Sequence, residues 1–153
     1  MTKRLHSAID NFHSLAYSGE SVEIPAARAK SRDLEHPEQV KVIRWWHDNH
    51  RAYGCPELSL FAIPNANKRT QWGGERLKNE GMRSGVADLF LAAPLFPWGG
   101  AFCEMKSDEG SLSIAQSTFL YAMEMEGYFS AVCYGADEAI KFFSDYLGEP
   151  NAR

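Results

Sequence analysis

Paired cysteines, long apolar runs and an excess of positive charge are all missing from these 153 residues. The three cysteines, Cys55, Cys103 and Cys133, are odd in number and widely spaced. With no C-x-x-C pair they exclude a zinc ribbon or a disulfide framework and suit a reducing compartment. No stretch approaches the ~20 apolar residues that span a bilayer. Asp10, Asn11 and His13 interrupt the amino terminus where a signal-peptide core would lie, so a cytoplasmic setting is expected, without membrane attachment. The formal net charge of -4 argues against coating of a polyanion by bulk electrostatics. No G-x-x-x-x-G-K-[ST] phosphate loop occurs, which disfavours nucleotide-driven chemistry and a nucleotide cofactor. Internal repeats are absent as well. What is present is ordinary for a globular chain, with 44% hydrophobic and 24% charged residues, and the length suits one domain with a proper core.

Residues 1–34 carry weak periodicity in Leu5, Ile9, Phe12 and Leu15, then Gly19, Pro25 and a basic run through Arg28, Lys30 and Arg32. They read as a short helix and an arm. From Glu35 to about Arg51 a helix is expected, with Pro37 in its first turn, Glu35 and Glu38 near its positive end, and Val40, Ile43, Trp46 and His47 on one stripe. Leu58–Ile63 reads as a strand closed by Pro64-Asn65, and residues 65–85 as a polar, glycine-punctuated stretch with a short helix from Gly74 to Asn79. Val86–Ala93 and Ala101–Lys106 read as a hairpin turning through Pro94–Gly100. Ile114, Phe119, Leu120 and Met123 mark a helix ending at Gly127, Tyr128–Tyr134 gives a fourth strand, and Ala136–Leu147 a closing helix with Ile140, Phe143 and Leu147 inward. The order αβββαβα, antiparallel first and helix-linked afterwards, predicts an α/β fold with a mixed sheet flanked by helices. The expected core domain is 35–148, and 149–153 a polar tail.

Alternation along a strand puts Glu104 and Lys106 on one face, Cys103 and Met105 on the other. Beside them Val86–Ala93 is apolar except for Asp88, a costly residue in a central strand unless it is paired or coordinates a cation. Carboxylate oxygens from Asp88 and Glu104, with a backbone carbonyl near Met105, suit Mg2+ or Mn2+. An ion there would bind a phosphate and activate a water, and Lys106 would orient that nucleophile or stabilise the charge that develops. The chemistry is hydrolysis of a phosphodiester. Taken alone, three such residues are as compatible with an ordinary cross-strand Glu and Lys on a solvated sheet.

The surrounding order of motifs tips the balance. Glu35 with Gln39, Pro64-Asn65, Gly81 through Gly85-Val86-Ala87-Asp88, then Glu104-Met105-Lys106 and Gln116 resembles the VRR-NUC branch of the PD-(D/E)xK nucleases, in particular its short stand-alone phage and bacterial members. The resemblance covers residues 35 to about 147. It implies a restriction-endonuclease-like core, Asp88 and Glu104 as metal ligands, Lys106 as catalytic lysine, Glu35 as first-helix acid and Gln116 supporting the site. The V-R-R segment is not evident, and Ala87-Asp88 stands where the superfamily has Pro-Asp. Glu38 is an alternative first-helix acid if the helix begins at Pro37.

Residues 68–83 hold five cations, Lys68, Arg69, Arg76, Lys78 and Arg83, against Glu75 and Glu80, so this stretch is basic by three. With Asn65, Asn67 and the amides around Gly73-Gly74 they form a candidate phosphate track that positions DNA without reading its sequence. Trp72 is a candidate for stacking on an unpaired base, though a rim or core position suits it better. The histidines have no metal-binding spacing. The Met123, Met125, Phe142 and Phe143 set reads as core or dimer surface. A chain this small covers little DNA alone, so a homodimer is expected, its two sites on a twofold suiting paired incisions in a four-way junction, and the resemblance also points to junction or flap cleavage in a bacterial or phage-infected cell. The competing readings are a nuclease fold that binds DNA or protein without cutting, a phosphatase or nucleotide hydrolase using the same carboxylates, and a sequence-specific restriction enzyme. The last lacks room for a recognition domain.

Overall fold

A computed structural model of the chain describes residues 35–64, 76, 79–108 and 110–150. Helix α1 (Glu35–Asn49) is followed by a 3-10 turn (Glu57–Ser59) and by strands β1 (Leu60–Ala62), β2 (Leu89–Leu91) and β3 (Ala101–Lys106). Helix α2 (Ile114–Met125), strand β4 (Phe129–Tyr134) and helix α3 (Gly135–Leu147) complete the order. The sheet runs β1-β2-β3-β4. The first three strands form an antiparallel meander, and β4 returns parallel to β3 after the α2 crossover. This is the mixed sheet flanked by helices that the order αβββαβα predicts. The arm expected over residues 1–34, the phosphate-track residues Asn65, Asn67, Lys68, Arg69 and Lys78, the amides of Gly73-Gly74, and Trp72 lie outside the described residues. So does most of the helix expected over 74–79, and of the expected tail all but Glu149 and Pro150.

Two apolar layers sandwich the sheet. On one face Val42 and Trp46 of α1 and Ala139 and Phe143 of α3 pack on Cys103, Met105, Ala131 and Cys133. On the other, Leu120, Phe119 and Met123 of α2 cover Phe102 and Val132. Full burial of one large side chain such as Phe143 stabilises by about 1.5–3 kcal/mol, so both helix layers are held chiefly by this apolar contact. All three cysteines are buried. Burial first, and then Cys133 beside it, pushes the Cys103 thiol up, which keeps it protonated and unreactive.

Several boundaries differ from those expected. The segment 57–59 is a 3-10 turn rather than the start of a strand, because the Ser59 amide bonds back to the Pro56 carbonyl at 3.0 Å. Strand β2 spans only Leu89–Leu91, so Asp88 sits at its mouth, half-buried, rather than in its middle. The stripe of α1 is also rotated: Val42 and Trp46 are its buried pair, whereas His47 is exposed and hydrogen-bonds Glu57 at 2.8 Å. Apolar periodicity gives a helix its period, but packing against α3 and the sheet sets which residues are fully buried.

Candidate active site

Strand β3 is buried along its whole length, its two charged residues included. Cys103 and Met105 enter the α1/α3 layer, and Glu104 and Lys106 lie on the α2 face, as period two requires. The Lys106 ammonium donates to Glu104 Oε1 at 2.6 Å, and their side chains are only 8% and 1% exposed. The Gln116 amide of α2 donates to the same oxygen. Glu104 Oε2 is buried with no hydrogen-bond partner among the described residues.

Gln116 is aimed by its own helix terminus. Ser113 caps α2: its hydroxyl accepts from the Gln116 amide N–H at 3.3 Å, and Gln116 Oε1 accepts from the Ser113 N–H at 3.0 Å. With Oε1 committed to this reciprocal capping box, the Gln116 amide nitrogen is turned to Glu104. The S-x-x-Q spacing was a readable signal for Ser113, which the motif order alone passes over. Gly85, three residues before Asp88, has φ +85°, and a Cβ there would lie 2.7 Å from Ala115. Only glycine lets the loop that leads to Asp88 press against the first turn of α2, beside Gln116.

Asp88 continues the β2 register. The Ile63 amide donates to the Asp88 carbonyl at 2.8 Å, and Asp88 Oδ2 accepts the Met105 amide at 2.9 Å. The Asp88 carboxylate is thereby tied to the strand that bears Glu104. The Glu104 carboxyl is pushed up to about 7, by burial first and then by the charge of Asp88. Glu35 of α1 pushes in the same direction, and Lys106 opposes. Two carboxylates from other parts of the chain, Asp88 and Glu35, therefore act on Glu104.

The alternative first-helix acid has another job. Glu38 Oε2 accepts the Ala136 amide at 2.9 Å and Oε1 accepts from Lys41 at 2.6 Å. The hydrogen bond from Lys41, and next that from Ala136, hold Glu38 below the usual carboxylate range. Glu38 thus caps the amino terminus of α3, where negative charge is favourable.

The donor set can be tested against a divalent cation. Among the described residues no three His, Cys, Asp or Glu side chains cluster closely enough to make an all-side-chain cage. Two carboxylates, one with an orphaned buried oxygen, fit a hard ion that keeps several waters and takes one backbone carbonyl, as Mg2+ and Mn2+ do.

Of the expected phosphate contacts, Arg76 is exposed and its Nε donates to Glu80 Oε1 at 2.8 Å. Arg83 lines an open depression of about 420 Å³ with Ile63, Pro64, Glu80, Gly81, Met82 and Val86. No described helix is long and apolar enough to cross a membrane.

No family model matches the sequence, and no curated protein matches it either. Among solved structures, one described as a VRR_NUC domain protein matches with a TM-score of 0.62 at 24% identity, over 75% of this chain and 90% of that one. The chain has the VRR_NUC fold, the fold implied by its order of motifs.

Proposed function

We propose that the protein is a metal-dependent deoxyribonuclease that hydrolyses phosphodiester bonds at Asp88, Glu104 and Lys106, and that its substrates are branched DNA, flaps or four-way junctions. One observation carries this reading: a fully buried glutamate with one bare oxygen, held by a lysine and a glutamine and repelled by an aspartate at the mouth of the neighbouring strand. As a structural device this arrangement destabilises the fold; as a cation site it is preorganised. Asp88, Glu104 and the Met105 carbonyl would hold Mg2+ or Mn2+, which supplies Lewis-acid polarisation of the phosphate and an acidified water. Lys106, held against Glu104, would orient the attacking water and balance the charge that grows on the phosphate oxygens. Gln116 fixes Glu104 Oε1, and Glu35 adds negative charge from α1. Arg83, with Asn65, Lys68, Arg69, Arg76 and Lys78, contributes phosphate contacts that set register. Paired sites in a homodimer suit symmetric junctions.

The test is cutting of labelled duplex, flap and four-way-junction DNA by the purified protein. Cleavage with Mg2+ or Mn2+, stopped by EDTA, is the expected result. A folded protein that binds these DNAs and cuts none with either metal would move the assignment to a binding module. The two helix acids separate in the same assay. Glu35→Gln should slow cutting about tenfold with an unchanged melting temperature, whereas Glu38→Gln should lower the melting temperature and leave the rate per folded molecule unchanged. The opposite pattern would make Glu38 the site acid.

A further inference from the structure

The same sheet face that carries Asp88 and Glu104 carries a row of aromatic rings one step along the strands. Phe61 pairs with Phe90, and Phe90 with Phe102, in register across β1, β2 and β3. Their rings form a continuous contact: Phe61 meets Phe90 edge to face at 5.7 Å, Phe90 stacks on Phe102 at 4.3 Å, and Phe119 of α2 closes over Phe102 at 5.2 Å. Exposure rises along the row. Phe102 is 9% exposed beneath α2, Phe90 is half-buried, and Phe61 on the edge strand is 44% exposed. Alternation places Ile63 on the same face as Phe61, and the Ile63–Asp88 hydrogen bond aligns it with the acid row. Phe61 and Asp88 are thus diagonal neighbours, roughly 7–8 Å apart along the backbone, or about two base steps of a stacked strand.

An exposed phenyl ring wedged upright by a second ring, on the open flank of a phosphate-cleaving centre, has the properties of a stacking platform. Base stacking on an aromatic side chain tolerates every base and requires that the base be free of its partner. We infer that Phe61 stacks an unpaired base within two nucleotides of the scissile phosphate, and that the substrate class is therefore DNA whose strand is unpaired beside the cut. The inference rests on the nuclease reading for its geometry and is tested separately from it. An intact duplex keeps its bases inside the helix and gains nothing from this ring, whereas a flap or an open junction arm offers a free base to it.

The experiment places 2-aminopurine at successive nucleotides on either side of the flap junction, and at the matching positions of a fully paired duplex, and records its fluorescence on binding in EDTA, where nothing is cleaved. Quenching in the flap, lost in Phe61→Ala and Phe61→Leu and retained in Phe61→Trp, is expected. With Mg2+, KM for the flap should rise about tenfold in Phe61→Ala and Phe61→Leu, with duplex cutting unchanged. Phe61→Leu keeps the apolar contact with Phe90, so it separates stacking from folding, and circular dichroism checks both variants. Phe61-dependent quenching without cutting would sink the nuclease reading and leave the platform standing. Quenching and flap KM that are indifferent to all three substitutions would overturn the platform. So would a change in oligomer mass in Phe61→Ala with quenching intact, because Phe61 would then cover a second copy of the chain.

Discussion

Lys106→Ala should cut flap and junction DNA about a hundred- to a thousandfold more slowly than the wild type at saturating Mg2+, the loss typical when one preorganised charge-stabilising group is removed. The side chain is 8% exposed and its ammonium lies 2.6 Å from Glu104 Oε1, so it is well shielded from solvent. No other described lysine or arginine is paired with Glu104, and nothing takes over its position. The variant also leaves Glu104 without the charge that opposes its burial, so the Glu104 carboxyl should titrate still higher. Arginine should not rescue the loss, because a planar fork of five donors does not fit a buried slot shaped for a single ammonium. Single-turnover rates measured alongside melting curves separate chemistry from folding. Wild-type rates in Lys106→Ala would remove Lys106 from the mechanism. Asp88→Ala should be as inactive, and it should also free the Met105 amide that Asp88 Oδ2 now accepts.

Acid should release the metal. The Glu104 carboxyl ionises at about 7, pushed up by burial, by Asp88 and by Glu35. A cation needs the ionised form, so protons and metal compete for this group. Apparent affinity should be level above pH 7 and fall about tenfold per unit below it, making Mn2+ binding roughly thirtyfold weaker at pH 5.5 than at pH 8. Calorimetry in buffers of different ionisation heat should register close to one proton released per ion at the lower pH and almost none at the higher. The metal-free fold should move in the opposite direction. A carboxyl whose folded value is raised contributes stability that is complete below its unfolded value and lost as pH rises through the folded one. The melting temperature in EDTA should therefore drop between pH 5 and pH 8, and Mn2+ should restore more of it at pH 8. A pH-independent affinity over this range would mean that Glu104 is not a ligand.

The parts readable from the sequence share a local cause. Strand β3 occupies Ala101–Lys106 as expected, and its period of two alone puts Glu104 and Lys106 on one face. Gly127, with φ +83°, follows α2 as its cap position requires. Helix α3 differs from expectation by one residue at its start, because the apolar spacing of Ile140, Phe143 and Leu147 and the Gly148 stop are both written in the chain. The missed elements depend on remote partners. The 3-10 turn at 57–59 closes locally on Pro56 but is held by remote donors, Trp46 Nε1 to the Glu57 carbonyl and the Ala92 amide to the Ser59 carbonyl, and the short β2 reflects how β1 and β2 meet, which neither segment encodes alone.

Local periodicity, turn residues and the order of motifs were enough to determine the αβββαβα sequence of elements, the shared face of Glu104 and Lys106, and Asp88 as the polar exception beside them. Only the tertiary structure decided that Glu38 caps α3, that Gln116 grips Glu104 through its own capping box, and that Phe61 stands exposed one row from the acids. Each of those outcomes turns on which group arrives from a distant part of the chain to meet a given oxygen or ring. A charge's effect depends on its burial and on its neighbours within a few ångströms, and those are set by packing across the sheet.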